Sequence, residues 1–250
     1  MNESFVQKGW LTMSVAIVTG ASRGLGEALS IGLARSGWSL VINGRSTGAL
    51  QEVASRIESA LEPGAVVRAI PGDITDAGHR AQLIEAARGI GGLDLLVNNA
   101  GILGPSPLPS VAEFPLPELR VTFEVNVVAP IGLLQAALPL LRHSSDPRVI
   151  NITSDAAVEA YEGWGGYGAG KAALDHFSAV LAVEEPLIRV WSVDPGDLRT
   201  QMHQEAFPGE DISDRPEAST VVPAFLHLIA SDLGSGRYRA SELLVTEAVR

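Results

Sequence analysis

Val15-Ala16-Ile17-Val18-Thr19-Gly20-Ala21-Ser22-Arg23-Gly24-Leu25-Gly26 sets a short β-rich apolar run directly before three closely spaced glycines. Residues 25–36 then carry a helical period and are followed by Gly37 at a C′ position, so the stretch reads as strand, tight turn and helix. Glycines in such a turn let the backbone bend sharply and bring N–H groups close to a pyrophosphate at the helix N-terminus. The spacing is Gly-x3-Gly-x-Gly, not the Gly-x-Gly-x2-Gly of the general dinucleotide fingerprint, and taken alone it also fits a merely structural turn.

The same alternation continues outward. Strands are expected over 40–43, 66–70, 93–97, 149–153 and 190–193, and helices over 49–60, 77–90, 168–183 and 218–231, with a last edge strand over 243–246. A Pro-rich stretch, 105–117, precedes a long apolar-periodic segment to Leu141, in which Pro130 should produce a bend. Parallel strands need crossover connections, so the expected fold is α/β: a doubly wound, mostly parallel sheet with helices on both faces. One domain is expected over 1–250, with 1–13 an N-terminal extension. Residues 101–117 and 196–216 interrupt the alternation and should lie over the strands' C-terminal edge, where ligands bind in such sheets; 197–216 is the expected substrate loop.

Composition narrows the partners. Hydrophobic residues make up 46% of the 250 and charged residues 19%, which suits a packed core rather than disorder. A net charge of −11 disfavours nucleic acid and anionic lipid, and no Lys/Arg run reverses it locally. A polyanionic cofactor would meet the same field, so its binding must rest on local donors and a few placed arginines. The chain has no cysteine, which rules out disulfides, thiolate zinc sites and a cysteine nucleophile, and fits a reducing compartment, with the cytoplasm expected. Residues 1–13 lack the apolar core of a signal peptide, no run approaches the roughly 20 apolar residues of a membrane span, and the five histidines show no metal-binding spacing.

The turn after the second expected strand reads Asn43-Gly44-Arg45-Ser46. An acidic residue there would accept a hydrogen bond from a free ribose 2′-hydroxyl; here none stands, while Arg45 and Arg23 could both reach a 2′-phosphate. NADP(H) is therefore expected over NAD(H), the plain alternative being two solvated arginines. Farther on, Tyr167-Gly168-Ala169-Gly170-Lys171 puts a phenol and an ammonium on one helix face. A free tyrosine, with pKa near 10, holds its proton too tightly for exchange at neutral pH, and a nearby cation should lower that value; a fall of about two units corresponds to roughly 2.7 kcal/mol. Ser154 follows the strand 149–153, where its hydroxyl could polarise a carbonyl. Asn126, in the apolar run 125–128, needs a partner that a site water or Lys171 could supply. Taken singly, each residue has an ordinary explanation.

Taken together and in order, these residues resemble the short-chain dehydrogenase/reductase family over nearly the whole chain: Gly20/Gly24/Gly26, Asp73, Asn98-Asn99-Ala100-Gly101, Asn126, Ser154, Tyr167, Lys171 and Pro195-Gly196. The resemblance implies a carbonyl/alcohol oxidoreductase in which the nicotinamide supplies hydride and Tyr167 the proton. Lys171 would lower the tyrosine's pKa and bind the ribose, Ser154 would position the substrate oxygen, and Asn126 would hold a relay water. It also implies cofactor contacts from Gly20, Ser22, Arg23, Gly24, Leu25, Gly26, Arg45, Asp73, Ile74, Asn99, Ala100, Gly101, Tyr167, Lys171, Pro195, Gly196 and Thr200, with no metal. Substrate contacts are expected from Asp155, Glu159, Tyr161, Trp164, Asp197, Met202, His203 and Phe207. The acidic members favour a neutral or cationic carbonyl compound over a carboxylate, unless they simply face water. Three departures bear on assembly: the short connection at 184–188, Trp191 at a commonly polar position, and no terminal Gly-Gly. A homodimer through the two long helices is expected, with a tetramer as the alternative. Two rival functions are a non-catalytic NADP(H)-binding sensor and a lyase or dehalogenase-like relative without hydride transfer. A Ser-His-Asp hydrolase lacks the Gly-x-Ser-x-Gly elbow around Ser154.

Overall fold

The computed structural model describes residues 13–245, so the N-terminal extension, apart from Met13, lies outside the described residues. Strand β1 (Val15–Val18) feeds helix α1 (Gly24–Arg35). Next come β2 (Ser39–Gly44), α2 (Thr47–Glu58), β3 (Val67–Pro71), α3 (Ala77–Ile90) and β4 (Leu95–Asn98). The second half runs α4 (Leu116–Phe123), α5 (Ala129–Leu141), β5 (Arg148–Ile152), α6 (Gly165–Glu184), β6 (Arg189–Asp194), α7 (Gln201–Ala206), α8 (Val222–Ala230), β7 (Gly236–Arg239) and α9 (Ala240–Val245). The seven strands form one parallel sheet in the order β3-β2-β1-β4-β5-β6-β7.

Every residue of β1 is buried because the strand has helices on both faces. Ala16 and Val18 join a core with Leu29 and Leu33 of α1, Leu50 of α2 and Phe225 of α8. Val15 and Ile17 point the other way, into a core with Leu83 of α3, Leu133 and Ala137 of α5, and Leu181 of α6. Fully buried strands therefore read as unbroken apolar runs, which is why they stood out in the sequence. The strand order reverses at β1, whose neighbours are β2 and β4, and that switch point opens a crevice at the C-terminal ends of the strands.

Two expectations need correction and one a qualification. The edge strand is Gly236–Arg239, paired through Trp191↔Gly236 to Asp194↔Arg239, whereas residues 240–245 are helical and Thr246 lies outside the described residues. The apolar run that suggested a strand instead lets Leu243 bury into the core from α9. The irregularity expected at Pro130 is a π-helical turn, Glu124–Val128, just before it; a proline has no N–H to return to the preceding turn, and the widened turn absorbs that loss. The unbroken helical run Leu116–Leu141 is long and apolar enough by length and composition to cross a membrane, contrary to the sequence reading, but Ala129, Leu133, Ala137 and Leu141 on it are fully buried in the core. Trp191, at its unusual position, is wholly buried and its indole N–H donates to Gly234 O at 2.9 Å.

Candidate active site

The glycine turn is built by close approach. Gly20 has φ +64°, and a Cβ there would lie 2.8 Å from Ala100 Cα. A Cβ at Gly26 would collide with Gly20 O and sit 2.5 Å from Asn99 Nδ2, so the third glycine lets α1 pack onto the turn and does not itself line the cleft. Asn99 Nδ2 donates to Thr19 O at 2.8 Å and Gly20 O at 3.2 Å, and Thr19 Oγ1 accepts from both Asn99 N and Ala100 N at 3.0 Å. Asn99, expected as a cofactor contact, lines the cleft while its side-chain amide holds the turn. Arg23 caps α1 without a side-chain hydrogen bond, leaving the first-turn N–H groups free of a side-chain acceptor, as an anion site at a helix start requires.

Beside this turn, Arg45 is exposed at the end of β2, and no carboxylate occupies that turn. Asp73 Oδ1 accepts from Thr75 N at 2.9 Å and Thr75 Oγ1 at 2.8 Å. These bonds, with smaller help from Arg45 and His79, hold its carboxyl below the usual carboxylate range. Arg23 hydrogen-bonds Gln201 of α7 across the cleft. Ser22, Gly24, Leu25, Ile74, Ala100 and Gly101 line the cleft with them.

The other end of the same cleft, whose volume is about 1440 Å³, holds the phenol and the ammonium. Tyr167 is 8% exposed and Lys171 3%, both on α6. Lys171 Nζ donates to Ile152 O at 2.7 Å and lies 5.5 Å from the Tyr167 ring centre. Burial pushes Lys171 down to about 8, against the opposing pull of Asp175. Burial first, then Asp194 and Asp155, pushes the Tyr167 phenol above its ordinary value. This corrects the expectation of a lowered pKa: desolvation of the phenolate and the nearby carboxylates outweigh any help from the neighbouring ammonium. The phenol is therefore protonated at neutral pH and a weaker acid than free tyrosine, able to give its proton only to a base as strong as a developing alkoxide.

Gly168 explains how the segment after Ser154 and the Tyr167 helix come to line one cleft. A Cβ on it would lie 2.5 Å from Ala156 O, so α6 packs directly on the short helical turn Asp155–Ala157 that Ser154 caps. Ser154 Oγ donates to Asp155 Oδ1 at 2.9 Å and accepts from Ala156 N at 3.2 Å; it lines the cleft with its proton already engaged. Asn126, carried in by the π turn, forms a reciprocal pair with the backbone of Ile102: its Oδ1 accepts from Ile102 N and its Nδ2 donates to Ile102 O, both at 2.8 Å. Neither Lys171 nor a water is needed to satisfy that side chain, contrary to expectation.

Trp164 lies edge-on to Tyr167 at 5.7 Å and 6.0 Å from Phe207, with Met202 and Leu103 packed in the same cluster. His203 is 5.0 Å from Phe207, and its Nδ1 is 3.8 Å from the exposed Asp197. Tyr161 OH lies 3.0 Å from Asp155 Oδ2 and 2.9 Å from Glu159 Oε2; those two carboxylates push its phenol up. Glu159 itself pairs with Arg239 at 3.2 Å and stands outside the cleft. Asp155, Tyr161, Trp164, Asp197, Met202, His203 and Phe207 all line it, as do Pro195, Gly196 and Thr200. Thr200 Oγ1 caps α7, the helix that sequence reading missed inside 197–216. Arg199, Glu217 and Ser219 also line the cleft; they carry no motif and reach it only through the fold.

Comparison with known proteins agrees with this geometry. Residues 14–211 match the family described as short chain dehydrogenase. Among curated relatives, sepiapterin reductase of Rattus norvegicus is 35% identical over 211 residues, 80% of this chain and 80% of that protein. Benzil reductase ((S)-benzoin forming) of Saccharomyces cerevisiae is 36% identical over 204 residues, 76% of this chain and 74% of that protein. Among solved structures, a short chain dehydrogenase from Shigella flexneri complexed with NADP has a TM-score of 0.83 at 29% identity, covering 91% of this chain and 97% of that one. Another, from Escherichia coli and complexed with NADPH, has a TM-score of 0.83 at 30% identity, covering 91% and 96%. With its parallel sheet, glycine turn and buried tyrosine and lysine in one cleft, this chain belongs to the short-chain dehydrogenase family.

Proposed function

We propose that this chain is an NADP(H)-dependent oxidoreductase that interconverts a carbonyl compound and an alcohol, with Tyr167 as proton donor and acceptor. The observation that carries the reading is one cleft with a glycine turn and Arg45 at one end and the buried Tyr167 and Lys171 at the other. The donors fit the cofactor: uncapped first-turn N–H groups of α1 for the pyrophosphate, Arg23 and Arg45 for a 2′-phosphate, Asp73 and Ile74 for the adenine side. Ala100, Gly101, Pro195, Gly196 and Thr200 would border the nicotinamide. NADP and NADPH in the similar Shigella and Escherichia structures support the choice. When bound, the nicotinamide supplies or accepts the hydride.

The residues of this chain manage the proton and the oxygen. Tyr167 gives its proton to the substrate oxygen during reduction and takes one back during oxidation. Ser154 turns its hydroxyl from Asp155 to that oxygen. Lys171 offsets negative charge on the phenolate, and Asn126 holds the 101–102 loop in place through Ile102. Trp164, Phe207 and Met202 form an apolar wall for the body of the substrate, while Asp155 and Asp197 disfavour a carboxylate. The names of the two curated relatives make sepiapterin and benzil the first compounds to test. Exposed Val121 and Val128 on one long helix and Phe177 and Val180 on α6 support a homodimer through these helices, to be checked by sedimentation. The lack of cysteine supports the cytoplasm as its compartment.

The test is turnover of a ketone panel with NADPH and with NADH, followed by absorbance of the reduced nicotinamide. NADPH-dependent reduction of at least one ketone is expected. Tight NADPH binding with no turnover of any compound would favour the sensor, and equal use of both cofactors would remove the 2′-phosphate argument.

A further inference from the structure

Arg237 stands on the edge strand β7, within a short stretch, Gly-Arg-Tyr-Arg, whose sequence gives no hint of a site. Its guanidinium reaches past β6 to the rear of the catalytic centre. Nη2 donates to the backbone carbonyl of Ser154 at 2.9 Å and lies 3.5 Å from Asp194 Oδ2, while Nε donates to Asp175 Oδ2 at 3.2 Å. Asp175 is one helical turn beyond Lys171, and its other oxygen, Oδ1, is buried without a hydrogen-bond partner. Arg237 is thus the group that keeps this carboxylate in place. Asp194 is almost fully buried, at the end of β6, and its Oδ1 accepts from Gly196 N at 3.0 Å.

We propose that Arg237 is a positioning residue of the catalytic centre: one guanidinium fork ties the chain at Ser154 to the Asp175 carboxylate of the Lys171 helix and to Asp194 beside Tyr167. One cation thus pins three elements, a task suited to a planar fork and not to a single ammonium. The inference rests on the reading of Tyr167 and Lys171 as the proton-handling pair. The charges around that pair come from several elements. Tyr167 faces Lys171 on its own helix, Asp155 after β5 and Asp194 on β6, while Lys171 faces Asp175, and Asp194 also feels Arg239. Arg237 touches two of these carboxylates, so its removal leaves both the phenol and the ammonium in a more negative field and raises the affinity of each for its proton.

The chain contains two lysines, Lys8 and Lys171, so lysine-selective isotope labelling lets NMR follow the titration of Lys171 directly, without substrate or cofactor. Arg237→Met should raise its midpoint by about half a pH unit or more, and Asp175→Asn should lower it by a similar amount, the sign expected when a neighbouring charge is removed. In turnover assays, Arg237→Met should lower kcat about tenfold and shift the pH profile to the alkaline side, with NADPH affinity within about twofold. Arg237→Lys should recover only part of the loss. A merely structural arginine would leave the Lys171 midpoint of Arg237→Met unmoved, while Asp175→Asn calibrates the size and sign of a single neighbouring charge. If Arg237→Met fails to fold, Arg237→Gln, which keeps a donor for the Ser154 carbonyl but removes the charge, is read in the same way: the Lys171 midpoint should again rise, and an unmoved midpoint would overturn the proposal. Tyr167→Phe, run in parallel, separates the two readings. Retained turnover there removes the catalytic reading, whereas an inactive Tyr167→Phe with unmoved Lys171 midpoints overturns the role of Arg237.

Discussion

Replacing Lys171 with methionine removes an ammonium whose pKa burial lowers from 10.5 to about 8. Because the folded value lies below the unfolded one, the folded state binds fewer protons between those limits. Stability therefore rises with pH through the window from about 8 to 10.5. Below it, keeping the charge buried costs about 3 kcal/mol relative to an exposed lysine. Methionine fills similar space without charge but leaves Ile152 O without its donor, which at 2.7 Å is a loss of about 1 kcal/mol. The variant should then be about 2 kcal/mol more stable than the parent at pH 7, an increase in Tm of about 4–8 °C for a chain of this size. The gain should shrink through this window and reverse sign by about pH 10.5, where the parent's lysine is neutral when folded and half protonated when unfolded, so that only the lost hydrogen bond remains. Urea unfolding of both proteins without cofactor, at neutral and alkaline pH, measures the difference directly, and other titrating groups cancel in it. Turnover should be lost at every pH. A variant less stable than the parent at pH 7, or a difference that ignores pH, would refute the reasoning.

Two further outcomes follow from the cofactor end of the cleft. Arg45→Asp should weaken NADPH by about tenfold or more, since it both removes a cation and places an anion against the 2′-phosphate, while NADH binding changes little; fluorescence titration with both nucleotides checks this, and equal losses would count against phosphate recognition. Gly26→Ala should abolish binding of either nucleotide, because its methyl group meets the backbone oxygen of Gly20 and the Asn99 amide that holds the turn; unchanged affinity in a folded variant would show that the turn is not tightly packed.

Much of this was legible in the order of residues, and what was not has physical reasons. The central strands read as apolar runs because both their faces are covered, and Tyr167 and Lys171 declared themselves by a spacing that only a helix makes meaningful. Strand β7 escaped notice because its four residues are intermediate or exposed and include two arginines, while the more strand-like run after it packs as a helix. The direction of the Tyr167 shift was also out of reach. Adjacency to a cation is visible in sequence, but desolvation and the carboxylates of Asp194 and Asp155 are brought to the phenol only by tertiary packing. Asn126 was recognised as a polar group needing a partner, yet the partner is the backbone of Ile102, which no side-chain pattern marks. Arg237 is the extreme case, joined to Ser154 across 83 positions of chain.

The central claim, that the Tyr167 hydroxyl moves the proton, is tested most directly by comparing Tyr167→Phe with the parent in NADPH-dependent ketone reduction and in NADPH binding. A loss of kcat of about a thousandfold or more, with Kd for NADPH nearly unchanged, is the predicted result. Turnover by the phenylalanine variant within a few fold of the parent would contradict it.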